Sequence, residues 1–143
     1  MRLQLLLTPL AALALTTACG DDASSAPDDG HTFDSNPNDV NGCSPGTALD
    51  RTAADAARTI NTVGLSYSPS CLRIKAGQSV TWTSDFQIHP LQGGRVGVPD
   101  GASPIGSTSS GVSKMVTFAA AGNFGYYCIV HTTLMMGAIY VEP

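Results

Sequence analysis

Charged residues are scarce in this sequence, and basic residues are the scarcer kind. The 143 residues include seven Lys and Arg against eleven Asp and Glu, which gives a formal net charge of −4. Removing the N-terminal segment that contains Arg2 leaves six basic residues and a charge of about −5. A nucleic-acid-binding domain needs a basic face that neutralises phosphates. The composition therefore excludes nucleic acid as a partner.

Residues 1–18 have the pattern of an export signal. Arg2 provides the basic start, an apolar stretch follows, and small residues precede Cys19. The stretch is too short to span a membrane, so we predict a signal peptide over residues 1–18. The junction resembles a bacterial lipobox with Cys19 as the lipidated residue, although Thr16 stands where that pattern usually has Leu. Ordinary cleavage is the alternative. Both routes predict export to the bacterial cell envelope, and lipidation predicts a membrane anchor.

Residues 19–45 contain almost no large apolar side chains and are rich in Asp, Ser, Pro, Gly and Asn. Such a segment cannot bury enough surface to offset the entropy lost on ordering. We therefore predict a disordered tether over residues 19–45, followed by a single folded domain over residues 46–143. His31 lies in the tether, and we interpret it as a solvated linker histidine rather than a metal ligand.

Histidine occurs three times in the chain and cysteine four times. One short segment nevertheless combines Cys128, His131 and Met135, and His89 lies about forty residues upstream. Two imidazoles, a thiolate and a weak axial thioether form the ligand set that selects copper and tunes it for one-electron transfer. Zinc would need a further strong ligand, because a thioether contributes little to a zinc site.

This pattern resembles the cupredoxin family, the small blue-copper proteins that include plastocyanin and azurin. The Cys128-x2-His131 spacing is similar to that of plastocyanin, and the His131-x3-Met135-x-Gly spacing is similar to that of azurin. The resemblance covers roughly residues 60–143. It implies one type 1 copper ion, with His89, Cys128 and His131 in a trigonal plane and Met135 in the axial position.

Two adjacent methionines compete for the axial position. Side chains on one face of a strand are two residues apart, so Met135 shares a face with the apolar positions Ile139 and Val141. Met136 points the other way, together with Tyr140. Strand parity and the azurin-like spacing both favour Met135, and Met136 at plastocyanin-like spacing is the alternative.

The remaining cysteines, Cys43 and Cys71, are expected to pair in an oxidising compartment. The closed loop of about thirty residues would stabilise the fold by roughly 3–4 kcal/mol on the chain-entropy account. The bond would join the end of the tether to the strand region near residue 71. The alternative is that one of the two thiols stays free and buried.

Short β-rich segments separated by Gly and Pro turns recur through the last two thirds of the chain. The predicted strand-like segments cover residues 60–69, 72–75, 79–83, 115–118, 124–128 and 137–141, and the first of them ends at a turn. This pattern predicts an all-β sandwich of one domain, and the resemblance implies its cupredoxin-like Greek-key form. We also expect a short helix over the alanine-rich residues 48–58. Residues 93–111 are expected to form a long surface excursion without strands.

The resemblance also implies roles for residues around the copper. His131 would be the partly exposed ligand through which electrons enter and leave. Leu134, Met136 and Leu91 would form an apolar docking patch around it.

The backbone around the thiolate departs from the usual cupredoxin pattern. Cupredoxins commonly have an N–H donor to the sulfur directly after the first histidine, but Pro90 has none. The N–H of Val130 is available instead. Because hydrogen bonds to the sulfur raise the reduction potential, we hypothesise that Val130→Pro would lower it.

We therefore expect an exported carrier of single electrons, not an enzyme, that acts as a monomer and meets transient protein redox partners. A copper-binding or copper-delivery protein would use the same ligands and is the main alternative. A nucleophilic Cys–His enzyme would need a third orienting group, which no residue near Cys128 provides. The complete ligand set argues against a purely structural module.

Overall fold

A computed structural model describes residues 36–143, and these residues form strands and turns without a helix. The strands are β1 (Leu49–Asp50), β2 (Thr59–Val63), β3 (Ser66–Ser68), β4 (Cys71–Lys75), β5 (Ser79–Thr83), β6 (Leu91–Arg95), β7 (Val98–Pro99), β8 (Ser107–Thr108), β9 (Ser113–Thr117), β10 (Gly122–Cys128) and β11 (Met136–Glu142). The expected all-β fold is confirmed. Within the described range, therefore, no helix is available to cross a membrane. The predicted signal peptide, Cys19 and His31 lie outside the described residues.

The strands form two sheets. The larger sheet has the order β1-β4-β11-β10-β6-β7, with β8 also paired to β6, and the smaller has the order β3-β2-β5-β9. In the larger sheet β10 is antiparallel to both β11 and β6, while β11 is parallel to β4. This order places the end of β10 beside the starts of β6 and β11.

The main core lies between the two sheets. Val80 and Trp82 are buried while their neighbours in β5 are more exposed, because successive side chains of a strand point to opposite faces. The larger sheet contributes the alternate residues Ile139 and Val141 of β11. Both sheets thus bury one face against the other, which is the arrangement of a β-sandwich.

A second, smaller cluster covers the outer face of the larger sheet. It contains Val40, Cys43, Ala48, Ala138 and Tyr140. The predicted disulfide between Cys43 and Cys71 is present and joins this segment to the start of β4.

The folded domain begins earlier than we expected. Val40 and Cys43 are only 3% and 2% exposed, although both lie within the predicted tether, residues 19–45. The sequence of this segment is mainly polar, but its few apolar side chains pack against β11. The C-terminal end of the predicted tether, from Val40, is therefore part of the packed domain.

The helix expected over residues 48–58 is wrong. Leu49 and Asp50 pair in parallel with β4, and the Asp50 carboxylate then accepts hydrogen bonds from the Thr52 N–H at 2.9 Å and the Thr52 hydroxyl at 2.8 Å. Such local side-chain bonds compete with helix formation. The alanine content alone was a misleading signal.

The expectation for residues 93–111 is also wrong in part. The first residues of this range complete β6, and two further short strands, β7 and β8, pair with it. Ile105 is fully buried in the main core. Glycine and serine at this sheet edge concealed the pairing, because they lack the β-branched pattern on which strand prediction depends.

Candidate metal centre

Three predicted ligands meet at one end of the sandwich. His89 lies between β5 and β6, Cys128 is the last residue of β10, and His131 lies in the loop before β11. One ligand atom from each lies within 4.8 Å of the other two. His89 Nδ1 is 3.2 Å from His131 Nδ1, which is 3.6 Å from Cys128 Sγ.

A short turn after β5 presents His89. The Asp85 carboxylate accepts a hydrogen bond from the Gln87 N–H at 3.0 Å, and the Asp85 carbonyl accepts one from the His89 N–H at 2.8 Å. Phe86 is fully buried in the core. The turn is thus held from inside by an aromatic side chain and closed by its own hydrogen bonds.

Three backbone hydrogen bonds fix the loop between β10 and β11. The Cys128 N–H donates to the Met135 carbonyl at 2.8 Å, and the Met135 N–H donates to the His131 carbonyl at 2.9 Å. The Ile129 N–H donates to the Pro90 carbonyl at 2.9 Å, which ties this loop to the turn before β6. The ligand-bearing segments are therefore bonded to each other through their main chains.

The two methionines lie on different faces of the larger sheet. Met135 is fully buried in the main core cluster that also contains Cys128. Met136 is half-buried, and its Cε atom lies 3.3 Å from the position that a Cβ on Gly42 would take, beside the outer cluster. The predicted parity of this segment is confirmed, because Met135 shares the core face and Met136 does not.

Three aromatic residues lie in the core that also contains Cys128. Tyr126 forms edge-on contacts with Tyr67 and Trp82, each with ring centroids 5.2 Å apart. Within the described residues, the Tyr67 hydroxyl and Trp82 Nε1 are buried without a hydrogen-bond partner. Burial raises the pKa of Tyr67, and the negative charge of a Cys128 thiolate raises it further. Sequence reasoning did not single out Tyr67, which is one of four tyrosines and has no motif.

The rim of the site is apolar. Both histidines are half-buried, whereas Cys128 is fully buried. Four side chains close to them in sequence are exposed, at 58%, 47%, 62% and 62%: Ile88, Ile129, Val130 and Leu134. Of the expected docking patch, only Leu134 is well exposed. Leu91 is fully buried because it starts β6, and Met136 lies against the outer cluster.

The expected hydrogen bond from Val130 to the thiolate is not formed. Within the described residues, the only polar contact of Cys128 Sγ is with His131 Nδ1, and Val130 is exposed on the rim. The proposed effect of Val130→Pro on the potential therefore loses its physical basis.

The geometry and donor set fit a copper ion. Metal–nitrogen bonds to first-row ions are about 2.0–2.1 Å long, so two imidazoles on one ion must have nitrogens less than about 4 Å apart, as these do. The cluster contains one thiol, two imidazoles and no carboxylate. A closed zinc site needs a fourth strong ligand, whereas copper accepts this trigonal set with a weak thioether.

Comparison with known proteins supports this interpretation. Residues 54–142 match the family model of copper-binding proteins of the plastocyanin/azurin family. A curated relative is the chloroplastic plastocyanin of Tetradesmus obliquus, which is 30% identical over 103 residues, covering 66% of this chain and 71% of the plastocyanin.

Solved structures with some similarity include an oxidised amicyanin variant. It is 27% identical with a TM-score of 0.47, and the match covers 63% of this chain and 86% of the amicyanin. A copper-containing nitrite reductase from Thermus scotoductus is 26% identical with a TM-score of 0.46, and the match covers 61% of this chain but only 22% of that enzyme.

The family model covers well over half of the chain, and it ends one residue before the C-terminus, so it includes the segments that carry all three clustered ligands. Copper is accordingly the cofactor, and the cluster of His89, Cys128 and His131 is consistent with a single type 1 ion. The chain belongs to the plastocyanin/azurin family of copper-binding proteins, the cupredoxins.

Proposed function

We propose that this protein carries single electrons between protein redox partners. His89, Cys128 and His131 would hold the copper ion, and Met135 would be its weak axial ligand. The observation that carries the proposal is the convergence of these three ligand atoms within 4.8 Å around a buried thiol. When bound, copper supplies a one-electron change of oxidation state at this ligand set.

The protein scaffold supports rapid transfer because it holds the ligands still. The Cys128 N–H and the His131 carbonyl both bond to the backbone of Met135, at 2.8 and 2.9 Å. The fully buried position of Met135 in the core restrains its side chain as well. A ligand set that keeps one geometry in both oxidation states lowers the structural change that accompanies each transfer.

The half-buried imidazoles provide the route for electrons. Both histidines direct Nδ1 toward the cluster, so the opposite edge of each ring points away from it. The exposed rim residues Ile88, Ile129, Val130 and Leu134 surround this end with apolar surface. Small apolar contacts of this kind suit a weak, rapidly released redox encounter. Residues 36–143 contain six Lys or Arg and six Asp or Glu. The domain therefore has no net charge that would attract a charged redox partner over a distance.

A carrier explains the site better than an enzyme does. Cys128 is fully buried, whereas a nucleophilic cysteine must reach its substrate. Two surface cavities, of about 400 and 350 Å³, are lined by none of the clustered ligands. The site therefore has room for an ion and a surface for a partner, but no adjoining substrate cleft among these cavities.

Export is part of the proposal. The disulfide between Cys43 and Cys71 is typical of an oxidising compartment, in agreement with the N-terminal signal pattern. Lipidation at Cys19 would anchor the protein to a membrane, and otherwise it would act as a soluble monomer. Fractionation of cells that express Cys19→Ala tests the anchor: release of this variant alone supports it, and a soluble wild type contradicts it.

An absorption spectrum of the purified protein tests the main proposal. We expect Cu(II) to produce an intense blue thiolate-to-copper band that ascorbate bleaches reversibly and that Cys128→Ser abolishes. Electron self-exchange between oxidised and reduced copies, measured by NMR line broadening, should be fast. Absence of the band, with slow exchange and ready transfer of Cu(I) to a chelator, would favour a copper-delivery protein instead.

A further inference from the structure

A hairpin at residues 40–43 lies on the outer face of the larger sheet. Val40 and Cys43 exchange two backbone hydrogen bonds, at 3.0 and 2.9 Å. Asn41 at the turn has a φ of +51°, which residues other than glycine adopt rarely, although Asn does so more readily than most. The contacts of its side chain compensate for this unfavourable conformation.

The Asn41 side chain joins three strands. Its Nδ2 atom lies 3.0 Å from the carbonyl oxygen of Gly94, 3.1 Å from that of Tyr126 and 3.2 Å from that of Gly137. Its Oδ1 atom accepts a hydrogen bond from the Val96 N–H at 3.0 Å. Three acceptors around one atom and a donor at the other leave only one orientation of the amide. One side chain thus links β6, β10 and β11.

These are the strands that deliver the proposed ligands. β6 follows His89, β10 ends at Cys128, and β11 follows the loop that contains His131 and Met135. Tyr126, whose carbonyl Asn41 contacts, is two residues before Cys128. The Asn41 contacts therefore lie close behind the ligand end of each strand.

The hairpin packs directly on the β10 backbone. A Cβ added to Gly125 would lie 2.7 Å from Val40 Cγ1 and 2.9 Å from Asn41 Nδ2. Both distances are shorter than real Cβ contacts, so no space remains between the hairpin and the strand. Any displacement of one must move the other.

We propose that Asn41 is a positioning residue for the copper centre. By fixing the separation of β6, β10 and β11, its amide holds His89 and the Cys128–His131 loop in the arrangement that binds the ion. The proposal rests on the proposed copper function. Loss of groups that orient metal ligands typically weakens metal binding 10–100-fold, and because Asn41 acts through the backbone we expect about tenfold.

Asn41→Gly is the decisive variant because glycine accepts a positive φ, so that only the amide is lost. In the full mature chain, the Cu(II) dissociation constant from chelator competition should rise about tenfold. The copper hyperfine splitting in EPR should change as well, since the ligand-bearing strands shift relative to one another. Asn41→Ser keeps one donor and should fall between Asn41→Gly and the wild type in both readouts.

Asn123→Ala provides the matched control. The Asn123 amide also connects β10 to the N-terminal segment, through Asn38 Oδ1 at 3.5 Å, but at the end of the strand remote from the ligands. It should keep the wild-type affinity and EPR spectrum.

A lower melting temperature of Asn41→Gly with unchanged affinity and spectrum would overturn the proposal and leave Asn41 a purely structural residue. If Asn41→Gly does not fold, Asn41→Ser decides by the same two readouts. A wild type that gives no blue band would refute the copper function itself, which is a separate result.

Discussion

The two faces of strand β11 have different roles. One packs beside the metal centre, and the other holds the strand in position. On the inner side, Ile139 and Val141 join the core that contains Cys128 and Met135, the residue just before the strand. On the outer side, Ala138 and Tyr140 pack against a cluster that includes the disulfide-bonded Cys43. One face thus packs against the core beside Cys128 and the proposed ligand Met135, and the other is restrained by a disulfide and hydrogen bonds.

The difference has a physical cause. The bond between a metal and a thioether is weak and does not fix the methionine side chain. Packing in the core must therefore fix it. The core on the inner side provides packing but few polar contacts: the Tyr67 hydroxyl has no hydrogen-bond partner among the described residues. The outer face provides polar contacts instead: the Tyr140 hydroxyl donates to the Cys43 carbonyl at 2.6 Å. Variants on the two faces should therefore change different properties.

Removing the disulfide should cause the largest change in stability. The double variant Cys43→Ser and Cys71→Ser opens a loop with a sequence separation of 28, so the free energy of unfolding should fall by about 3–4 kcal/mol. Urea denaturation of the metal-free protein measures this loss. The folded variant should still bind one copper ion, because no ligand is removed. An unchanged urea midpoint would show that outer-face packing alone restrains the hairpin.

Exchanging the two methionines for leucine compares the faces directly. Met→Leu nearly conserves volume and costs less than about 1.5 kcal/mol in most cores. If Met135 is the axial ligand as we propose, Met135→Leu should raise the midpoint potential, because the variant would lack a thioether donor that stabilises Cu(II). Met136→Leu is the matched control one residue away and should leave the potential unchanged. Voltammetry of both variants gives the comparison.

The outcome assigns the axial ligand. A shift in Met136→Leu with none in Met135→Leu would reverse the assignment. No shift in either variant would mean that neither thioether influences the copper, and the site would be described by His89, Cys128 and His131 alone.

Much of the site was predictable because its information is local. Cys128 and His131 lie in one loop, and the period of two along β11 placed Met135 on the core face without any knowledge of the fold. The Cys43–Cys71 pair was also predictable, since the sequence suggested other roles for the remaining two cysteines. These inferences needed only residue type, spacing and strand parity.

The missed features depend on contacts between distant parts of the chain. Asn41 bonds to carbonyls 53 to 96 residues away, and nothing in a polar segment indicates such partners. The short strands β7 and β8 form because β6 offers an edge to pair with, not because their residues favour strands. In the same way, alanine content suggested a helix over residues 48–58, although Leu49 and Asp50 at the start of this segment pair with the distant strand β4.

Asp50→Asn should cause the smallest change, at the end of the outer face remote from the ligands. The N–H and hydroxyl of Thr52, with help from Arg73, lower the pKa of Asp50 from 3.8 to about 2. A lowered pKa contributes stability above the unfolded value and loses it as the pH falls. The melting temperature of metal-free wild type should therefore exceed that of Asp50→Asn slightly at pH 5, and the difference should vanish between pH 4 and 2. Because Asp50 is exposed and Arg73 is only half-buried, the effect should be far below that of the disulfide. A difference that grew with acidification would show that the carboxylate does not act in its charged form.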